Sequence, residues 1–481
     1  MQLKDYAERD ATALADLVRK GDVSPRELAL LAAQAVEAVN GEVNAVVELY
    51  PDRIDGLDES SLGNGPFRGV PFLIKDVRGY EKGRKIEYGS RLAEGLICEE
   101  DTFFIELARK AGLNVLGRSN APEYSSATCT DNLLYGATST PWRKGFSAGG
   151  STGGGMAAVV AGMVPVAQGS DIGGSIRIPA SWCGGVGLKP SRGRVSSGPQ
   201  ADEGGWGLSM TFAQTKSLRD TAALLDCFSE PQPGDPFVVQ RPAEGFAGWL
   251  AKDTGPLRIA FTHAPTMDAP VDPEIAAAVE KTARLLEEMS HSVDEAALPF
   301  DQEETSRKMC SIWFFGFQRM LDRIAAKTGR KPGPDTLEAV TWEIYKRSAE
   351  MDPWGFFEAL AWVNKKRREI GRFFARYDIL VTPTTAQVSQ PHGLYGMNIP
   401  GLSAEDFMIL SDVPVQFCHP YNLCGSPALS LPLFMHSNGL PIGVQLGARP
   451  AEEHLLIALG ARLEEALPWA GRIPPLHVSN V

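Results

Sequence analysis

A chain of 481 residues, 43% hydrophobic and 22% charged, has the balance of a water-soluble globular protein with an ample core. Its formal net charge of -12 argues against a broad nucleic-acid footprint or an anionic-membrane surface and leaves a small molecule as the expected partner. Seven cysteines, an odd set with no C-x-x-C pair, fit neither a disulfide framework nor a zinc site; with a charged N-terminus that lacks an apolar run, they read as reduced thiols of a cytoplasmic protein.

Residues 11–39 predict two helices. The second opens on Ser24-Pro25-Arg26-Glu27, which supplies a capping serine, a proline at the first helical position and a glutamate three after the cap. Leu28, Leu31, Ala32, Ala35 and Val39 follow at helical spacing. A short strand is expected within 43–49, and a polar loop from 51 to 66. Gly69 to Asp76 is then an apolar run of strand length that ends on Lys75. At the tip of a buried strand desolvation lowers a lysine's pKa, whereas at the start of a loop the same lysine is solvated. By strand alternation Asp76 points to the opposite face. A helix over 101–111, a strand over 114–116 and a loop from Arg118 to Glu123 complete this part.

The stretch from Gly149 to Pro179 places Ser151 and Ser175 in two separate glycine clusters. Glycines this dense suit turns with positive φ and close backbone approach. Met156 to Ala167 predicts a buried helix holding the two turns together, too short to cross a membrane. Asp171 to Ser175 aims successive N–H groups at one point, a nest for an anion. If Ser175 attacks a carbonyl, the oxyanion develops in that nest, where one aligned donor is worth roughly 3 kcal/mol. Arg177 is expected to pair with Asp171 and steady the turn, and Gly184, Gly185 and Gly187 to serve close packing.

Residues 229–257 are rich in proline and glycine and mark a boundary or an insertion. A strand over 257–261 follows, then a helix capped by Asp272 that reaches about 289. Helical patterns fill 303–328, 335–349 and 353–376. Trp313, Phe314, Phe315, Phe317, Trp342 and Tyr345 are either core or the wall of an apolar substrate pocket, with Trp313, Phe314 and Trp342 the pocket candidates. Strands over 378–381, 428–433 and 441–446, a turn over 421–427 and a last helix over 451–467 finish the chain. This alternation predicts an α/β protein with a large mixed sheet covered by helices on both faces.

Two known motifs compete for the glycine cluster. Gly149 to Gly153 matches G-x-S-x-G, but that motif requires a preceding hydrophobic strand and a histidine; 142–148 does not read as one, and the seven histidines, all beyond residue 262, sit in no evident motif. Gly153 to Ala158 fits G-x-G-x-x-A with Asp171 downstream, again without the required strand. Neither G-x-x-x-x-G-K-[ST] nor H-E-x-x-H occurs.

Lys75 in GVPFLIKDV, Ser151 in GGSTGGG and Ser175 in GSDIGGSIRIPA together resemble the amidase-signature hydrolases, and the two serines, 24 residues apart, are spaced similarly to that family's. The likeness extends through GLKPSRGRVS, PYNLCGSPALSLP and GLPIGVQL and so covers most of the chain; around TWEIYKR and the C-terminal segments it is nearest to bacterial amidases of the aminohexanoate cyclic-dimer hydrolase type. The resemblance implies a single amidase-signature domain over 1–481, with a signature core at about 66–200 and a helical pocket region at about 300–376. It implies Ser175 as the acyl-forming nucleophile, Ser151 on a cis peptide bond as proton relay and Lys75 as general base. The N–H groups of Ile172, Gly173 and Gly174, with that of Ser175, become the oxyanion hole. Thr152 departs from the family's usual second serine and is expected to alter hydrogen bonding around the relay, and the Gly155 end of the cluster is longer than usual.

The expected activity is hydrolysis of a small, uncharged, partly apolar amide through an acyl-enzyme, with no metal or organic cofactor, in a monomer or homodimer. Carbamate or ester hydrolysis stays open within the same family, as do an amidotransferase subunit and a non-catalytic scaffold. A lysine is a competent base only when neutral, so burial must lower its pKa from about 10.4 or activity must rise with pH.

Overall fold

The computed structural model describes every residue of the chain except Asp202. Its strands are β1 (Val46–Leu49), β2 (Pro71–Lys75), β3 (Asn114–Ser119), β4 (Asp131–Asn132), β5 (Gly136–Ala137), β6 (Ser139–Thr140) and β7 (Arg143–Ser147). There follow β8 (Val166–Asp171), β9 (Val186–Lys189), β10 (Met210–Thr215), β11 (Arg258–Phe261) and β12 (Ser292–Glu295). The last are β13 (Ile379–Pro383), β14 (Ala428–Met435) and β15 (Pro441–Ala448). Eleven of them form one mixed sheet in the order β1-β3-β2-β8-β10-β9-β14-β15-β13-β11-β12. Every residue of β2, β3, β8, β9, β10, β13 and β15 is buried. Successive strand residues point to opposite faces, so both faces of the sheet are covered, as in the expected α/β architecture.

Local signals account for several helix ends. Ser24 accepts a hydrogen bond from the Glu27 N–H at 3.1 Å and Pro25 opens the helix Pro25–Val43. Asp272 caps Pro273–Glu288 in the same way. Elsewhere tertiary packing overrides pattern. The apolar run expected as one helix over Met156 to Ala167 is divided: the helix Gly153–Val160 is followed by a turn through Gly162, at φ +79°, and then by β8. A short apolar run has no period that separates a buried helix from a buried strand. Gly153 to Gly155 lie inside that helix, where a Cβ on Gly154 would stand 2.5 Å from the backbone of Asn120 and one on Gly155 2.7 Å from Gln214 Oε1. Their use is close approach.

The expected helix over 303–328 breaks into Gln302–Trp313 and Phe317–Thr328 around Gly316, at φ +77°. β3 runs through Arg118 and Ser119, which were expected to begin a loop. A strand, β7, does precede Gly149, contrary to expectation, but it pairs with β6 in a two-stranded ribbon, touches the segment around Pro391 through one bridge at Phe146, and is largely uncovered. It is not the buried central strand that a nucleophile elbow requires.

Parallel pairing positions the chemistry. β2 lies between β3 and β8, parallel to both, with Lys75 opposite Ser119 and Leu73 opposite Ala167. The C-terminal ends of β2 and β8, Lys75 and Ser170-Asp171, therefore open on the same edge of the sheet, the usual place for a ligand in such folds. Among the described residues no helix is long and apolar enough to cross a membrane, and all seven cysteines are free.

Candidate active site

Lys75 is 0% exposed, and its Nζ lies 2.8 Å from Ser151 Oγ and 3.1 Å from Ser170 Oγ. No described carboxylate forms an ion pair with it. Asp76 turns away to the Arg118 guanidinium and accepts from the N–H groups of Glu87 and Gly89 at 2.8 and 2.9 Å. Burial drives the Lys75 pKa well below 10.5, the positive charge of Arg78 adds to the fall, and Asp171 opposes it. Gln168 and Ser170, two apart on β8, present one face to this lysine: Gln168 Oε1 accepts from the Lys75 N–H at 3.1 Å.

Ser151 follows a cis peptide bond from Gly150. Gly149 takes φ +79°, and a Cβ on Gly150 would stand 2.7 Å from the Ala127 carbonyl oxygen. Thr152 binds the two glycine loops together: its N–H donates to the Ser175 carbonyl at 3.2 Å and its hydroxyl to the Ser170 carbonyl at 3.3 Å. Ser175 is 8% exposed and lines the cavity, and its hydroxyl is held by no hydrogen bond from a described residue.

In the turn after β8, Gly174 takes φ +125°. Its N–H, expected to be open, donates to Asp171 Oδ1 at 2.9 Å. The carboxylate that fixes the turn thus occupies that donor, leaving the N–H groups of Ile172, Gly173 and Ser175 without partners among the described residues. Arg177 grips Asp171 through two bonds, 2.9 Å to Oδ2 and 2.8 Å to Oδ1. Burial opposes the charge on Asp171, but the guanidinium, the nearby Lys189 and the Asn422 amide hold its pKa below the ordinary carboxylate range. Arg177 continues to the Cys418 carbonyl, Gln445 and Asn422 at 2.9, 2.7 and 2.7 Å.

A cavity of about 400 Å³ opens over these groups, with Ser151, Ser170 and Ser175 on its floor and Trp313, Phe314 and Phe315 on its wall. Phe314 and Phe315 project from the break between two helices, a position that no helical periodicity marks. Phe315 stacks on Phe356 at 4.2 Å, and Trp206, 50% exposed, lies edge-on to Phe356 at the mouth. Trp342 corrects the expectation: it stacks on Tyr345 at 5.2 Å beside Leu321 and Leu337 and does not line the cavity. Ser170, Asn422, Gln445 and His419 were not anticipated. Ser170 alone carried a usable signal, its two-residue spacing from Gln168 on a strand that was itself misread.

A buried lysine, two serines on glycine turns and open N–H donors thus meet at the floor of one cavity. The family model for Amidase matches residues 27–457. Over 479 residues the chain is 36% identical to 6-aminohexanoate-cyclic-dimer hydrolase of Paenarthrobacter ureafaciens, covering 97% of each. It is 31% identical over 485 residues to the Acylamidase of Rhodococcus erythropolis, covering 96% of each. A solved structure of 6-aminohexanoate cyclic dimer hydrolase superposes with a TM-score of 0.91 at 36% identity, covering 98% of this chain and 99% of that one. The chain belongs to the amidase signature family and is a hydrolase of amide bonds.

Proposed function

We propose that Ser175 forms the acyl-enzyme, with Ser151 relaying its proton to neutral Lys75. The observation that carries this reading is the fully buried Lys75, with no carboxylate partner among the described residues and 2.8 Å from Ser151 Oγ. As Ser175 Oγ bonds to the carbonyl carbon, its proton passes to Ser151 and the Ser151 proton to Lys75. The carbonyl π pair moves onto oxygen, where the N–H groups of Ile172, Gly173 and Ser175 receive it. Collapse breaks the C–N bond, and Lys75, through Ser151, returns a proton to the leaving amine. Water then enters by the same route, releasing the acid and Ser175.

The aromatic wall supports an uncharged, partly apolar acyl or amine group. The relative's name adds amides of aminohexanoate, linear or cyclic, to the substrates to try. Because the nest meets the carbonyl oxygen and not the atom beside the carbonyl, esters and carbamates belong in the same panel.

The test is a fluorophosphonate probe on the purified chain, with the added mass located by peptide mapping and Lys75→Ala as control. Labelling at Ser175 that slows at least about 10²-fold in the control is expected. Labelling at Ser151, or none, overturns the assignment. Amide hydrolysis by the chain alone would also separate this reading from an amidotransferase subunit that needs partners.

A further inference from the structure

One imidazole at the cavity wall has no part in the lysine and serine chemistry. His419, 1% exposed, opens the helix His419–Cys424 and lines the cavity beside Gly173 and Ser175, with the Trp313 ring 5.9 Å away. A Cβ on Gly173 would fall 2.7 Å from His419 Nε2, so the glycine is what lets the ring edge approach the turn.

The neighbours of the ring fix its proton. Gln302 Nε2 lies 3.0 Å from Asp412 Oδ2 and 3.2 Å from His419 Nδ1, while Ser306 donates to the same Asp412 oxygen at 2.6 Å. A carboxylate only accepts, so the amide nitrogen and not its oxygen faces Asp412. The same nitrogen only donates, so His419 Nδ1 is the acceptor and the proton resides on Nε2. Asp412 Oδ1, at 3.9 Å from Nδ1, is too far to claim that proton. Burial lowers the imidazole pKa and Asp412 opposes the fall. The result is a neutral ring with a buried Nε2–H that finds no acceptor among the described residues. It stands beside a nest that has lost one backbone donor, that of Gly174, to Asp171.

We propose that His419 Nε2–H is a side-chain member of the oxyanion site, donating to the substrate's carbonyl oxygen together with the open backbone N–H groups, and that Gln302 and Asp412 are positioning residues that set its tautomer. The proposal rests on Ser175 being the nucleophile. No proton is transferred: Nε2–H keeps its hydrogen and shortens its bond as the oxygen gains charge, so the effect falls on the transition state.

Asparagine reproduces Nδ1 of a histidine and lacks Nε2, whereas a glutamine amide reaches the Nε2 position. The expected result for His419→Asn is a fall in kcat of about 10²-fold with KM within about threefold, and a matching fall in the rate at which a fluorophosphonate labels Ser175. His419→Gln is expected to recover kcat to within about tenfold of the parent, a rescue that a purely structural role would not give. If both fail to fold, Gln302→Leu retains the ring but releases its tautomer, and kcat is expected to fall about tenfold at constant KM. Unchanged kcat and labelling in His419→Asn, a rise in KM alone, or an unchanged Gln302→Leu enzyme overturns the proposal. A parent enzyme that is not labelled at Ser175 removes the nucleophile assignment instead, so the two failures are distinct.

Discussion

Two regions build the cavity by opposite means. From Gly149 to Cys183 every side-chain nitrogen or oxygen shut off from solvent has a partner, the Ser175 hydroxyl at the cavity being free, whereas from Gln302 to Phe374 the buried atoms Gln302 Oε1, Trp313 Nε1, Glu338 Oε2, Thr341 Oγ1 and Arg367 Nε have none among the described residues. The floor is specified by hydrogen bonds with narrow geometric tolerance, the wall mainly by aromatic stacking that admits substitution. Chemistry and substrate preference are therefore separable: the wall has room to vary while the floor stays fixed.

The sharpest way to break the contrast is at the floor. Ser175→Ala is expected to reduce kcat at least about 10³-fold with little change in melting temperature, measured on any amide the parent cleaves. A residual rate near that of the parent would move the nucleophile elsewhere. Arg177→Met leaves Asp171 charged and buried without its partner and should cost about 3–5 kcal/mol in urea unfolding, with activity lost as the turn relaxes. A loss under about 1 kcal/mol would mean that the turn does not depend on the pair.

At the wall, Phe315→Ala should raise KM about tenfold for long apolar amides and leave kcat nearly intact, since it removes binding shared by ground and transition states. A large fall in kcat with constant KM would assign Phe315 to the floor's kind of work. The acid limb of kcat/KM offers a finer test. With Lys75 as the proposed base, its neutral form is the active one; its pKa lies well below 10.5, and activity is expected to decline as pH falls through that lowered value. Arg78→Gln removes a positive charge that favours the neutral amine, so the Lys75 pKa rises and the acid limb should move to higher pH; movement to lower pH would contradict this electrostatic account. Smallest of all, Trp342→Ala should cost about 1–2 kcal/mol of stability and change kcat/KM less than about twofold, because it packs outside the cavity.

The same contrast explains what could be read from residue order. Lys75, Ser151 and Ser175 stand out because glycine turns and a strand-ending lysine are local signals, and Asp171 with Arg177 lie within one turn of chain. β8 was hidden because an apolar run bears no period, which also concealed Ser170 facing Lys75. Phe314 and Phe315 reach the cavity from a helix break set by Gly316, while Trp342, equally aromatic, turns into a separate cluster. His419, Gln302 and Asp412 meet across more than a hundred residues of chain, a distance over which no motif extends.

Arg177 reaches beyond the turn it steadies, to Asn422 and Gln445. During synthesis, then, Lys75, Ser151 and Ser175 all emerge long before the groups that fix the guanidinium holding Asp171. A chain released before Asn422 would carry Lys75, Ser151 and Ser175 yet lack the side chains that fix the guanidinium holding Asp171. The turn that carries Ser175 is in this sense secured last, by side chains from the far end of the chain.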